Sequence, residues 1–209
     1  MNVGSPILDV VPGPRGLLLQ ALSGLTGRMS GRQLAQFAGV PPSTTARLLA
    51  DLVDAGIVLA EPIGGALAYR MNADHLTSRA ISQLASVRFD LICEIKGEIK
   101  TWDTPAVAGW LFGSTARGDG DRQSDVDLLL VAPDGVDHRW ERQIGRLADL
   151  VERWTGNHAQ VVEHSISSFL ALEAARSTLT ANLRVDGLEL VDNSWTAIGR
   201  AARAVHRGA

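Results

Sequence analysis

The sequence predicts a chain of the α/β class, in which a small N-terminal domain precedes a domain of alternating strands and helices. After residue 105, short apolar runs alternate with amphipathic helical patterns, which indicates strands covered by helices. Before residue 73, two short helices flank a Gly-Val-Pro-Pro turn and precede a β-hairpin with a Gly-Gly tip. We therefore expect one domain at residues 1–73, a long linking helix at 74–104 and a second domain at 105–209.

The composition is that of an ordinary globular protein. The 209 residues carry a net charge of −3, which argues against a protein that mainly coats nucleic acid. No stretch reaches the roughly 20 apolar residues of a membrane span, and residues 1–14 lack a basic region and a cleavage signal. We expect a cytoplasmic protein without membrane contact. Cys93 is the only cysteine, so the chain cannot form an intrachain disulfide. We expect Cys93 to be a buried helical residue.

Capping and turn residues predict the N-terminal helices. Ser30 begins one helix, and Ser43 begins the next, which ends near Gly56. With the following hairpin, residues 15–72 resemble the winged helix-turn-helix domain of bacterial transcription regulators. The resemblance implies that the helix from Ser43 to Ala55 is a recognition helix. The candidate DNA contacts are Thr44, Thr45 and Arg47.

The charge of this domain does not settle whether it binds DNA. Residues 1–75 contain five arginines and five acidic residues, and the expected wing at residues 61–67 has no basic side chain. Phosphate contacts normally dominate affinity for DNA. Two interpretations therefore stay open: a DNA-binding domain, and a dimerisation or packing module.

A long amphipathic helix is expected from residue 74 to 102. Its apolar residues recur at three and four spacing, and Asp103-Thr104-Pro105 ends it. Packing on the C-terminal domain explains this apolar stripe. A homodimer formed through the same helix is an additional interpretation that we keep open.

Residues 113 to 131 contain the pattern that specifies a chemistry. Gly113 and Ser114 follow an apolar strand where it turns into a helix, and the backbone N–H groups of such a corner suit a phosphate. Ten residues later, Asp125 and Asp127 begin an apolar strand. Alternation along the strand places both carboxylates on one face about 7 Å apart. They repel each other unless a cation such as Mg²⁺ lies between them.

This spacing resembles the nucleotidyltransferase superfamily that includes DNA polymerase β. The extended form of its minimal bacterial members, Gly-Ser-x-Ala-Arg-Gly followed by Ser-Asp-x-Asp-Leu, is complete here. The resemblance implies a mixed sheet with flanking helices, an NTP substrate and two Mg²⁺ ions. It implies metal binding by Asp125 and Asp127, and nucleotide binding by Gly113, Ser114, Arg117 and Ser124. For Arg117, a salt bridge to Asp119 or Asp121 is the alternative.

Most active members of this superfamily carry a third carboxylate on a later strand, where it binds a metal or deprotonates the acceptor. In the strand expected at residues 159–163, Gln160 stands where that acid belongs. Glu163, our remaining candidate catalytic residue, faces inward only if the register or a bulge turns it. His158 and His164 lie near this strand. Each is interpreted either as a base or phosphate contact, or as a surface or packing residue.

The rest of the C-terminal domain is expected to be mostly helical. Helices are expected at residues 137–155, 167–181 and 194–206, and a turn with a short extended piece at 185–190. Strands that alternate with these helices indicate an α/β domain.

The sequence supports two functions. The first is an Mg²⁺-dependent nucleotidyltransferase that transfers a nucleoside monophosphate from an NTP to an acceptor that the sequence does not identify. The second is a DNA-binding transcriptional regulator with a degenerate, nucleotide-sensing nucleotidyltransferase domain. Gln160 favours the regulator, whereas the intact Asp125 and Asp127 favour the enzyme.

Overall fold

The computed structural model describes the backbone of residues 1–208 and the side chains of residues 1–203. The chain divides into two compact units, of which the first comprises Asn2 and residues 4–88. The second comprises Met1, Val3 and the chain from Phe89 onward. The structure confirms the expected class, with a helix-turn-helix region followed by a mixed sheet and flanking helices. None of the described helices is both long and apolar enough to cross a membrane.

The first unit consists of short helices and a small antiparallel sheet. After a 3₁₀ helix (Pro6–Asp9), its elements are α1 (Pro14–Ser23), β1 (Met29–Ser30), α2 (Gly31–Ala38), α3 (Pro42–Asp54), β2 (Val58–Ile63) and β3 (Ala66–Met71). β3 pairs with both β1 and β2. A capping box between Ser30 and Gln33 begins α2. Gly39 ends α2 in left-handed backbone, at φ 64°, and so turns the chain toward α3.

The second unit is built on a mixed sheet. Helix α4 (Leu76–Lys100) contains the division at residue 88. The following elements are β4 (Ala108–Phe112), α5 (Gly113–Arg117), β5 (Val126–Ala132), α6 (His138–Thr155), β6 (Ala159–Ser165), α7 (Ile166–Ala174), α8 (Thr178–Asp186), β7 (Leu188–Glu189) and α9 (Ser194–Gly208). The strand order is β6-β5-β4-β7. β5 and β6 are parallel, while β4 is antiparallel to β5 and β7.

Side-chain alternation along β5 divides the core of this unit between two faces. Leu128 and Leu130 belong to a buried cluster with α4 and α6. Leu129 and Val131 belong to a second cluster with α7, α8 and α9. Asp127 shares the alternation of Leu129 and Val131. The acidic start of β5 therefore lies on the α7–α9 side of the sheet.

Two expectations about this unit need correction. The helix expected at residues 167–181 is interrupted, because Arg176 has a φ of 49° and the Ser177 side chain then caps a new helix, α8. Cys93 is exposed rather than buried. It lies on the side of α4 away from the buried Leu91 and Ile95.

Candidate active site

The two halves of the Gly-Ser and Asp-x-Asp pattern lie side by side on neighbouring strands. β4 and β5 pair with Phe112 opposite Asp127, so the corner at Gly113 follows directly beside the acidic end of β5. The Thr115 hydroxyl of α5 also donates to the backbone carbonyl of Asp125 at 3.2 Å. Strand pairing and this hydrogen bond therefore join the glycine corner to the acidic pair.

Gly113 is required at the corner for two reasons. Its backbone has a φ of 69°, which side chains rarely tolerate. A Cβ added there would lie 2.2 Å from Oδ2 and 3.1 Å from Cγ of Asp127. The Asp127 carboxylate thus packs on the bare Cα of Gly113. Glycine at this position determines where the acid sits, in addition to leaving room for a phosphate.

The loop between the two halves folds back onto the corner. A Cβ on the buried Gly120 would lie 3.2 Å from the Ser114 hydroxyl oxygen. The Ser124 hydroxyl donates to Oδ1 of Asp121 at 3.0 Å and accepts from the Asp121 N–H at 2.9 Å. Hydrogen bonds from the Gln123 N–H and from Ser124 hold the pKa of Asp121 below its usual value. In this structure Ser124, a candidate nucleotide contact, orders the loop.

Asn157 holds the same loop from the other side and is absent from the sequence pattern. It is 3% exposed, and its amide donates to the backbone carbonyls of Ser124 at 2.8 Å and Asp121 at 3.2 Å. A buried amide that satisfies two loop carbonyls fixes their positions. The only sequence signal is an Asn after the glycine that ends α6, which is also an ordinary turn pattern.

The two aspartates of the pair interact electrostatically. Burial raises the pKa of the Asp127 carboxyl above its usual value, the negative charge of Asp125 raises it further, and Arg117 opposes both. A cation beside the two carboxylates would relieve this repulsion, and hard divalent ions prefer such oxygen ligands. The donor set therefore suits Mg²⁺. Among the described residues, no group of three or more His, Cys, Asp and Glu side chains is placed to hold a metal ion.

Arg117 forms the salt bridge to Asp119 that the sequence offered as the alternative to a nucleotide contact. Its Nε donates to Oδ2 of Asp119 at 3.2 Å, and its charge lowers the pKa of Asp127. Both members of the ion pair are largely exposed, so the pair contributes little to stability. Arg117 can therefore leave Asp119 for another anion at small cost.

The register between β5 and β6 decides which side chain stands at the third position. Gln160 lies opposite Asp127, and Glu163 lies opposite Leu130. Because residues paired in this way point to the same face, Gln160 shares the face of Asp127 and Glu163 points to the other. There the Trp140 indole N–H donates to Oε2 of Glu163 at 2.6 Å. The register is continuous, so the structure does not bring Glu163, our candidate catalytic residue, to the acidic pair.

The two histidines near β6 contact other side chains. His158 Nδ1 lies 2.7 Å from Oε1 of Glu152, and His164 Nδ1 lies 3.1 Å from the Ser168 hydroxyl oxygen. These contacts fit the interpretation of both histidines as surface or packing residues.

In the first unit, the candidate DNA contacts of α3 differ in their exposure to solvent. Thr45 is 1% exposed, and its hydroxyl donates to the Val40 carbonyl at 3.4 Å. Thr45 must therefore be removed from the expected contacts, because the helix turns this position toward the core. Thr44 is partly exposed, and Arg47 is exposed. Arg47 lies 3.8 Å from the carboxylate of Asp51, one helical turn away.

Acidic side chains neutralise several arginines of this unit. Glu61 on β2 pairs with Arg28 at 2.6 Å and with Arg70 at 3.3 Å. Asp51 on α3 pairs with Arg15 at 3.0 Å. The positive charge that these arginines offer to DNA phosphates is correspondingly reduced.

Two regions of the chain match protein families. Residues 92–177 match the nucleotidyltransferase domain family, and residues 16–62 match the IclR helix-turn-helix domain family. No curated protein matches the chain.

Among solved structures, the chain is similar to a toxin–antitoxin with AMP-PNP at 19% identity, over 56% of this chain and 85% of that chain, with a TM-score of 0.36. It is also similar to a mutant of the toxin–antitoxin MntA–HpeT at 16% identity, over 56% of this chain and 87% of that chain, with a TM-score of 0.36. A predicted DNA-binding transcriptional regulator from E. coli matches at 18% identity, over 40% of this chain and 83% of that chain, with a TM-score of 0.32.

The Gly113→Ala substitution is expected to displace the Asp127 carboxylate and to abolish stabilisation of the protein by Mg²⁺. It also places a side chain at a φ of 69°, which costs about 1–3 kcal/mol. Gly135→Ala is the matched control, because Gly135 has a φ of 78° but nothing within 4 Å of an added Cβ. Thermal unfolding with and without MgCl₂ should show a response in the control alone. An equal response in both variants would contradict the role of Gly113.

The raised pKa of Asp127 predicts how metal-free stability depends on pH. The folded state holds the proton more tightly than the unfolded chain, so stability falls as pH rises from the ordinary value of 3.8 through the raised pKa. At pH values above the raised pKa, and without metal, the Asp127→Asn variant should be at least as stable as the wild type. MgCl₂ should raise the unfolding midpoint of the wild type, by about 2–4 °C for each 1 kcal/mol of binding energy, but not that of Asp127→Asn. Midpoints measured from about pH 4 to 8 test this; an unchanged pH slope in the variant would contradict it.

Proposed function

Because this chain joins an IclR-type helix-turn-helix domain to a nucleotidyltransferase domain, we propose that it is an Mg²⁺-dependent enzyme that transfers a nucleoside monophosphate from an NTP to an acceptor. The observation that carries the proposal is the contact of the Asp127 carboxylate with Gly113. It supports the proposal because the acid that we expect to bind metal lies directly beside a corner that suits phosphate. An NTP bound there has its phosphates and its metal ligands at one place.

In this proposal, each residue of the site has a role in one reaction. The acceptor attacks the α-phosphorus of the NTP, the bond from that phosphorus to the bridging oxygen breaks, pyrophosphate leaves, and the proton of the acceptor passes to water. Gly113 and Ser114 contact the β- and γ-phosphates, and Arg117 exchanges Asp119 for a phosphate oxygen. Asp125 and Asp127 would hold two Mg²⁺ ions, whose charge would stabilise the attacking and leaving oxygens.

Gln160 supports a second candidate function. Its place beside Asp127 belongs to an acid in most active members of the superfamily that the chain resembles, and an amide can neither take a proton nor bind Mg²⁺ strongly. In this proposal the domain binds a nucleotide without turnover, and the helix-turn-helix domain binds DNA as a transcriptional regulator. Asp125 and Asp127 then serve nucleotide binding alone.

Three further proposals complete the description. We keep the domain boundaries at residues 73 and 104 with the helix between them. A homodimer through residues 74–102 is a proposal that rests on the apolar stripe of that helix. A cytoplasmic location is a proposal that agrees with an NTP substrate and a DNA partner.

The enzyme is expected to transfer label from an α-labelled NTP only in the presence of Mg²⁺. Asp127→Asn should reduce transfer by at least about 100-fold, because it removes a metal ligand. Gln160→Glu should increase transfer by supplying the missing acid on the same face. Glu163→Gln is the matched control and should stay within about twofold of the wild type, since Glu163 faces Trp140 on the other side of the sheet.

The acceptor need not be known for this measurement, because label transfer to the protein itself, to RNA and to cell extract can be followed in parallel. If no NTP supports metal-dependent transfer by the wild type or by Gln160→Glu, the transferase proposal fails. Loss of transfer in Glu163→Gln would instead show that the face assignment is wrong.

If the helix-turn-helix domain binds DNA, the protein is expected to retard the DNA upstream of its own gene in a gel-shift experiment. Arg47→Ala should weaken binding by about tenfold, the usual effect of removing an arginine that contacts DNA. Arg153→Ala, an exposed arginine of α6, is the control and should bind as the wild type does. Absence of a shift, or equal weakening by both substitutions, would count against the regulator.

A further inference from the structure

A large cavity lies within the first unit. It is open to solvent, has a volume of about 910 Å³, and is lined by the end of α1, the loop before β1, the end of β3 and the first turns of α4. Its lining includes three arginines, which are Arg28, Arg70 and Arg79, and no acidic side chain. Leu25 and Met71 add apolar surface to the same lining. The cavity, which we call the arginine cavity, therefore combines positive charge with apolar walls.

A buried hydroxyl without a partner belongs to the arginine cavity. Ser78 lines it and is 4% exposed, and its side-chain oxygen is buried without a hydrogen-bond partner. Buried polar groups are normally satisfied by protein or by bound molecules. An acceptor oxygen in the cavity would satisfy the Ser78 hydroxyl. This is an observation independent of the arginines, and it points to the same kind of ligand.

The arginines of the cavity carry more charge than their partners neutralise. Arg28 and Arg70 share a single carboxylate, that of Glu61. Arg79 is exposed and forms no ion pair among the described side chains. Three guanidinium groups thus have one acidic partner, which itself does not line the cavity. The remaining charge attracts an anion.

We propose that the arginine cavity binds a small organic anion, in which a carboxylate or phosphate group is joined to an apolar body. Arg79 and the Ser78 hydroxyl hold the anionic group, and Arg28 and Arg70 reinforce it. Leu25 and Met71 cover the apolar body.

Anion binding also affects the ion pairs of the β2–β3 hairpin of this unit. Glu61 lies on β2, and an anion that takes Arg28 or Arg70 competes with it for the same guanidinium groups. The ligand therefore acts as an effector of the helix-turn-helix domain, through the ion pairs that join β2 to Arg28 and to β3. This site is separate in the chain from the Gly113 corner, and the proposal does not depend on the proposed transferase.

Calorimetric titration of the full chain with benzoate and with phenyl phosphate tests the site. The two probes share an apolar ring and differ in the anionic group, and benzyl alcohol is the neutral control. We expect at least one anion to bind and benzyl alcohol not to bind. Arg79→Gln and Ser78→Ala should each weaken binding by about tenfold, as expected for the loss of a hydrogen bond to a charged group.

Two further variants make the test specific. Arg32→Gln is the matched control, because Arg32 is an exposed arginine of the same unit outside the cavity, and it should bind as the wild type does. Glu61→Gln should tighten binding several-fold by releasing Arg28 and Arg70, an effect that a purely structural role of these residues does not predict. Ser78→Ala should unfold at no lower temperature than the wild type, since the hydroxyl it removes has no partner.

Binding of benzoate alone assigns a carboxylate ligand, and binding of phenyl phosphate alone assigns a phosphate ligand; both support the site. Binding of neither probe overturns the proposal. Binding that is unchanged by Arg79→Gln overturns it as well, because the anion is then held elsewhere, for example at the Gly113 corner.

Discussion

The contact between the Asp127 carboxylate and the bare Cα of Gly113 is the constraint on which the candidate active site depends. It requires glycine at that corner, it keeps Asp127 partly buried and it brings a charged group close to backbone that suits phosphate. The raised pKa of Asp127 follows from this burial together with the charge of Asp125. A site of this kind is electrostatically incomplete alone, and a divalent cation is the natural complement.

The surroundings of this contact are arranged to keep it in place. Thr115 joins α5 to the backbone at Asp125, and Asn157 joins the intervening loop to the start of β6. The two candidates for the third carboxylate position lie on opposite faces of the sheet. Gln160 shares the face of Asp127, whereas Glu163 accepts a hydrogen bond from Trp140 on the other face. An acidic pair beside a corner that suits phosphate thus occurs together with an amide that cannot take a proton. The acidic pair supports the proposal of turnover, and the amide supports the proposal of nucleotide sensing.

In the first unit, paired charges govern what the surface can bind. Asp51 and Glu61 each engage two arginines, so the helix-turn-helix domain offers less free positive charge to DNA than its arginine content suggests. The same sharing leaves an unneutralised surplus where Arg79 joins the cavity. The arginines of the cavity and Arg47, the candidate DNA contact, therefore differ in how much of their charge is neutralised by acidic partners.

Much of this protein was determined by the sequence alone. The spacing from Gly113 to Asp127 and the periodicity of the helices were sufficient to predict the α/β class, the helix-turn-helix region and the acidic pair, because local patterns encode local structure. Tertiary structure alone decided which face Glu163 occupies, that Thr45 is buried and that Asn157 supports the loop. Each of these depends on strand register or on packing between elements distant in sequence, and a single residue of register reverses every side chain of a strand.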